Sequence, residues 1–387
     1  MTTEPAASTE PAETTEPAAS TGPAETTEPA ASTEPAETTE PAETTGPVIS
    51  VIVLAWGAEP YLTACVESVL QTIGAEDEIV LVDNGARPAV AALPSDDRLR
   101  IIRPGANLGF AGGCNAGVAA ARGRTLVLLN SDAEVRPGAI ARLAEAVSDP
   151  RVAIASGSVR LADQPDLINT VGNPVQYLGV VWAGGYGEPA DQHLAPRDVT
   201  AATGAFLAVR RQVWDELGGF PAEYFAYHED TELSLRAWQH GYRVRYEPGA
   251  VAVHHYEFSR NPRKEFLLQR NRWFTVLTVY PRRVLVLVLP MMIAFDLALA
   301  VAGLRRGTLR AWVRATGSLA RHARLIRRRR AAVQAASQLD PAAFAALLVA
   351  RIEPAMIERP PGLGLLNAVL AGYWRLVQTL LGARARR

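Results

Sequence analysis

The sequence predicts an α/β fold, a mostly parallel sheet flanked by helices, and three observations predict it. Its strand-like runs are apolar almost without interruption, as in strands covered on both faces. Segments with helical spacing of apolar residues separate them. The runs end in polar clusters, at the carboxyl edge where open α/β sheets hold ligands.

The elements follow in order. "VISVIVLAW" (Val48–Trp56) is the first buried strand. "PYLTACVESVLQTI" carries Leu62, Val66, Val69, Leu70 and Ile73 at helical spacing. "EIVLVDNG" (Glu78–Gly85) is a second strand, ending in Asp83 and Asn84, and "LRIIR" (Leu99–Arg103) a short third. "AGGCNAGVAAARG" reads as a glycine-rich loop opening a helix of small residues, closed by Gly123. "TLVLLNSDAEV" is a strand that runs into Asn130, Ser131 and Asp132. Beyond Pro150, "VAIASGSVRL" and "GAFLAVRR" read as strands and "EDTELSLRAWQHGY" as a helix with acids in its first turn. "RVRYEPGAVAVHHY" reads as an extended pair with a turn at Pro248-Gly249. The α/β pattern spans about 47–265.

Charge divides the 387 residues into three segments. The totals, 39 basic and 40 acidic side chains, hide a tail 1–46 at −10, a middle 47–281 at −5 and a C-terminal region 282–387 at +14. The tail, a degenerate Thr/Glu/Pro/Ala repeat with no apolar residue larger than Ala after Met1, buries too little to offset its ordering entropy and is expected to be disordered. It has neither the basic nor the apolar part of a signal peptide. Cys65 and Cys114 lack metal-site spacing and are expected as reduced thiols. Val284–Leu304 is apolar apart from Pro290 and Asp296, with Arg pairs on both sides. An interfacial or re-entrant helix is the favoured reading, with a membrane span and a soluble core helix as alternatives. The arginines of "SLARHARLIRRRR" suit anionic lipid headgroups, or an ordinary solvated face. No aromatics interleave with them, so nucleic acid is not expected.

Four constellations bear on chemistry, and each has a plain structural alternative. Asp83 of "LVDNG" suits a nucleobase or ribose, or starts a turn. "NLGFAGGCNAG" (Asn107–Gly117) lets backbone approach a phosphate, or lets a helix pack closely on the sheet. Asp132 of "NSDAEV", with Glu134 nearby, suits a hard cation that is otherwise ligated by substrate phosphates, or turns the chain. Asp230 of "YHEDTELSLR" suits a general base, or caps a helix. The following His254 and His255 add nitrogen donors.

In that order, and with "ATGAFLAVRR", "LGGFPAEYFAYHEDTELSLRAWQHGYRV" and "VHHYEFS", the chain resembles the family 2 glycosyltransferases of the GT-A (Rossmann-like) fold, most closely the bacterial rhamnosyltransferase and galactofuranosyltransferase branch. The resemblance covers 47–265. It implies an inverting, metal-dependent enzyme that moves a sugar from a nucleoside-diphosphate sugar to a hydroxyl of a polyprenyl-linked or other cell-envelope glycan acceptor. It implies Mg2+ or Mn2+ on Asp132 and His254, with His255 as the alternative; His254 stands five before Ser259, as in the family's segment. Asp230 becomes the catalytic base, beside Glu229. Asp83, Asn84, Asn107, Gly109, Gly112, Asn115, Asn130 and Ser131 line the nucleotide-sugar pocket. Asn130 stands where the motif usually has its first acid. The donor favoured by the branch is dTDP-rhamnose, followed by UDP-galactofuranose or UDP-N-acetylglucosamine. The implied place is the cytoplasmic face of a bacterial membrane, reached through the helical C-terminal region 282–387. A non-catalytic nucleotide-sugar-binding membrane scaffold is the alternative from another class.

Overall fold

Four strands, β1 (Ile49–Ala55), β2 (Glu78–Asp83), β3 (Leu99–Ile102) and β4 (Thr125–Asn130), pair parallel in the spatial order β3-β2-β1-β4. They are joined through α1 (Leu62–Leu70), α2 (Arg87–Ala91) and α3 (Gly109–Ala120). The computed structural model describes residues 48–255, 263–306, 309–355 and 362–382. The tail 1–46 and Ser259 lie outside them. Apolar residues of β1 alternate between the two cores. Val51 and Val53 pack toward Val66 and Val69 of α1, and Ile52 toward Val118 of α3. Burial on both faces is the reason the run has no polar alternation.

Past β4 the sheet becomes mixed. The remaining strands are β5 (Ala133–Val135), β6 (Val152–Leu161), β7 (Ile168–Thr170), β8 (Arg197–Asp198), β9 (Phe206–Arg210) and β10 (Arg243–His254). The order continues as β4-β9-β6-β10-β5, with β7 beside β6 and β8 beside β10. β9 is antiparallel to both β4 and β6, so its N-terminal end meets the carboxyl end of β4. The helices between these strands are α4 (Ala139–Ser148), α5 (Arg211–Leu217) and α6 (Glu229–Gln239).

Two readings of the sequence are corrected here. Pro248-Gly249 does not turn the chain: Arg243–His254 is one strand, parallel to β6, with its register broken between Glu247 and Val251. Proline withholds one ladder N–H, and a bulge absorbs it without reversing direction. The glycine-rich stretch is not a loop either, because α3 begins at Gly109. A Cβ on Gly113 would lie 2.3 Å from Leu54 Cδ1, and one on Gly117 would lie 2.5 Å from Ile52 Cγ2. These glycines bring the helix down onto the sheet.

The C-terminal region is helical: α7 (Lys264–Val279), α8 (Arg282–Arg306), α9 (Leu309–Arg321), α10 (Ala323–Ala336), α11 (Pro341–Ala345) and α12 (Leu363–Leu380). A shared apolar cluster joins Tyr177 and Leu235 to Val276, Val288, Phe344 and Trp374. The arginine run of α10 is not uniformly outward. Arg329 pairs with Glu223 and Glu232, and Arg330 donates to the carbonyls of Leu277 and Tyr280.

Candidate active site

The carboxyl edge of the sheet gathers most of the residues singled out by the sequence. Asp132 follows β4 and His254 ends β10, 122 positions later, yet His254 Nε2 lies 2.9 Å from Asp132 Oδ1. The antiparallel pairing of β5 with β10 sets Ala133 opposite His254 and so brings them together. Asn130 Nδ2 is 3.3 Å from the same nitrogen. One Nε2 cannot serve both neighbours. Protonated, it donates to Asp132 and opposes the Asn130 amide; unprotonated, it accepts from Asn130 and faces carboxylate lone pairs. A divalent cation held between imidazole nitrogen and carboxylate oxygen removes the conflict, so these residues fit a metal. No third His, Cys, Asp or Glu joins them among the described residues.

His255 is turned elsewhere. Its Nε2 meets Glu134 Oε1 at 2.9 Å, its ring stacks on Tyr61 at 3.8 Å, and its N–H donates to the Asp132 carbonyl. The surroundings are acidic: burial pushes the Cys65 thiol far up, and Asp132, Glu59 and Glu134 push it further. Such a field favours a cation. Ser131 is buried beside this cluster.

Asp230 stands in the first turn of α6. Its Oδ2 accepts from the Gly204 N–H at 2.9 Å, just before β9, and its Oδ1 accepts from the Thr231 N–H and hydroxyl. Asn130 N–H donates to the neighbouring Ala205 carbonyl, which ties this carboxylate to the end of β4. Desolvation raises the Asp230 pKa above the usual carboxylate range, against those three donors, which lower it. Glu229 is buried, its Oε2 has no hydrogen-bond partner among the described residues, and burial followed by the Asp230 charge raises its pKa strongly. His228 is held down to about 3 by burial and then by Arg272, so it stays neutral and is a poor proton acceptor.

The turn that presents these acids is strained. Phe225, Tyr227 and His228 adopt φ of +65°, +72° and +71°, left-handed conformations that cost non-glycine residues about 1–3 kcal/mol each. Asn271 of α7, fully buried, donates to the carbonyls of Tyr224, Ala226 and Tyr227, and Arg270 donates to those of Glu223 and Tyr224. Sequence reasoning missed both residues, which look like ordinary polar positions of a helix. Asn271→Ala leaves three carbonyls without this donor and is expected to lower unfolding free energy by about 2 kcal/mol, read from urea denaturation.

The other side of the edge is a hydrogen-bonded loop cluster. Asp83, buried at the end of β2, accepts from the N–H groups of Gly85 and Ala86 and pairs with the exposed Arg103. Asn84 Nδ2 donates to Asn107 Oδ1, and its oxygen accepts from the Leu108 N–H. Gly109, at φ +70°, passes so close to Phe225 that a Cβ would lie 2.3 Å from its carbonyl oxygen. Gly112 faces Leu108 inside α3. The Asn115 amide is taken up by both backbone groups of Phe220. Trp56 was also missed: its indole is exposed at the end of β1, next to Gly85. The aromatic closing an otherwise aliphatic strand was the available signal.

Residues 50–218 match the family model described as Glycosyl transferase family 2. Over 235 residues the chain is 27% identical to the N-acetylglucosaminyl-diphospho-decaprenol L-rhamnosyltransferase of Mycobacterium tuberculosis, covering 54% of this chain and 76% of that one. It is 33% identical over 133 residues to the succinoglycan biosynthesis protein ExoO of Rhizobium meliloti, covering 34% of this chain and 36% of that one. Among solved structures, GalNAc-T7 with UDP, GalNAc and Mn2+ superposes on 62% of this chain and 49% of its own, with a TM-score of 0.52 at 17% identity, a likeness of fold. With the mixed sheet and the site at its carboxyl edge, these matches show a glycosyltransferase with the GT-A fold, whose residues 50–218 resemble family 2.

Proposed function

We propose that the protein transfers a sugar, with inversion, from a nucleoside-diphosphate sugar to a hydroxyl of a lipid-linked glycan, and that rhamnose from dTDP-rhamnose is the unit transferred. The observation that carries the reaction is the meeting of Asp132 and His254 with Asp230 along one edge of the sheet. The donor and acceptor rest on the rhamnosyltransferase relative, whose name gives a diphospho-decaprenol acceptor.

Trp56 offers a flat face for a nucleobase, and the Asp83–Arg103 pair, at the end of the neighbouring strand, can accept and donate. Asp132 and His254 would hold Mg2+ or Mn2+, which supplies Lewis acidity to the departing diphosphate. Asp230 accepts the proton of the acceptor hydroxyl, which attacks the anomeric carbon opposite the leaving group. The Gly204 N–H holds the carboxylate in place through Oδ2. Burial, followed by the Asp230 charge, raises the Glu229 pKa, so Glu229 resists ionising beside Asp230.

The deciding experiment offers a panel of nucleotide sugars to the purified protein with Mn2+ and scores nucleoside diphosphate release with and without polyprenyl-linked acceptor. Acceptor-stimulated release from dTDP-rhamnose is expected. Release only from UDP-galactofuranose or UDP-N-acetylglucosamine would replace the donor. Binding without release from any donor would turn the reading toward a scaffold. The two-ligand protein set carries a further expectation: Mn2+ binds weakly to the donor-free protein and tighter by about tenfold or more once a nucleoside diphosphate adds its oxygens, as calorimetry will show.

A further inference from the structure

The first 20 residues of α8, Arg282–Val301, are long and apolar enough to cross a bilayer. Their side chains nevertheless sort into two unlike faces. Val284, Val288 and Met292, spaced by four, are fully buried in the cluster that holds Tyr280, Phe344 and Trp374. The next position in that row is Asp296, also buried, which accepts from Gln269, Arg272 and Trp273 of α7. This row seats the helix on the folded domain. The opposite row, Val286, Ile293, Leu297 and Val301, is between 47% and 67% exposed.

The same division recurs on α12. Leu370, Trp374 and Val377 enter the shared cluster, and the Tyr373 hydroxyl donates to the Leu287 carbonyl of α8 at 2.6 Å. Leu365, Val369, Leu376 and Leu380 point outward, between 51% and 74% exposed. Two touching helices therefore each present an apolar row to the surroundings, more than scattered surface leucines account for.

We propose that α8 and α12 lie together in the plane of an anionic bilayer surface as a two-helix docking face, and that α8 does not cross the membrane. A spanning α8 would carry the buried row, with Asp296 and its α7 partners, into hydrocarbon, and the folded domain with it. Charge selects lipid as the occupant. Exposed Arg282 and Arg283 open α8, and exposed Arg375 sits on α12 among the outward leucines. Region 282–387 holds 18 Arg against 4 acids, and one of those acids, Asp296, is turned inward. Arginine beside apolar rows reaches headgroups while the rows enter the acyl boundary. A second copy of the chain on this face would bring like charges together across a two-fold axis. Since Arg329 and Arg330 are engaged internally, the headgroup contacts fall to the arginines bordering these rows.

The proposal gives the lipid-linked acceptor of the previous section its meeting place, but its test is independent of transfer. The full-length protein is floated with vesicles of phosphatidylcholine alone and of phosphatidylcholine with phosphatidylglycerol, beside the double variant Leu297→Glu, Leu376→Glu. Wild type is expected on the mixed vesicles and more weakly on the neutral ones, and alkaline carbonate should release it. The variant should lose about tenfold or more in vesicle affinity while keeping its melting temperature and its donor turnover in detergent. Retention through carbonate would overturn the in-plane arrangement in favour of a span. A wild-type dimer that ignores vesicles and is broken by the variant would assign the face to self-association. Undiminished flotation of the variant would place docking elsewhere. Loss of transfer in every form, with flotation as expected, would count against the proposed reaction alone.

Discussion

Asp230→Asn is expected to bind the nucleotide-sugar donor as wild type does and to transfer sugar about 10²–10⁴-fold more slowly, the usual span for removing a general base. The amide keeps one oxygen for the Gly204 or the Thr231 donors, so the turn stays in place while the proton acceptor is gone. The pH profile separates this role from a structural one. Desolvation lifts the folded pKa of Asp230, so the anionic, competent form develops only as pH rises through that raised value. Wild-type kcat/KM should therefore climb along an acidic limb lying above the ordinary carboxylate range, and the variant should lack that limb. The same shift affects stability. A carboxyl whose folded pKa exceeds its unfolded one favours the native state below the unfolded pKa, and this contribution is lost as pH rises through the folded value. Glu229→Gln is the internal control. Burial and then the Asp230 charge raise the Glu229 pKa as well, so its neutral isostere should cost less than about tenfold. An unchanged rate in Asp230→Asn, or an acidic limb that survives it, would remove Asp230 from the role.

How far the sequence reached depended on whether the cause of each feature was local. Apolar runs such as Ile49–Ala55 announced strands because burial on both faces is written into consecutive residues. The gathering of Asp83, Asp132 and His254 at one edge was legible because they follow or end strands, and the carboxyl edge of the sheet collects strand ends. Pro248-Gly249 misled, since turn chemistry is a local preference, whereas the parallel pairing of β10 with β6 is a tertiary one that overrode it. Gly113 and Gly117 belonged to packing, which is legible only once Leu54 and Ile52 are seen beneath them. Asp296 looked like a charge to be tolerated in an apolar helix. Its partner Arg272, 24 positions away on another helix, makes it an anchor. Asn271 and the Gly204 N–H carried no local signal, because their roles lie wholly in groups brought to them by the fold.

Asp132→Asn should reduce metal-dependent transfer by several kcal/mol of lost transition-state stabilisation, about 10²–10³-fold in rate. Among the described residues Asp132 is the carboxylate against His254 Nε2, and Glu134 cannot replace it while it is engaged by His255. His254→Ala should cost less, about 10–100-fold, because one neutral nitrogen donor is lost and substrate oxygens remain. The more informative change restores an acid. Asn130→Asp places a second carboxylate where an amide nitrogen now sits 3.3 Å from the imidazole. Without metal, the two carboxylates repel, and one of them should take up a proton more readily than an isolated Asp. With metal, they form a chelating pair, so Mn2+ should bind the donor-free variant at least about tenfold more tightly than it binds wild type. Faster transfer need not follow, since tighter ground-state binding of the ion helps only if it also persists at the transition state. If Asn130→Asp leaves Mn2+ affinity unchanged, the cation sits elsewhere than between Asp132 and His254. If wild type already binds Mn2+ tightly without nucleotide, the substrate phosphates are not needed to complete the site, and Asn130 has no bearing on its affinity.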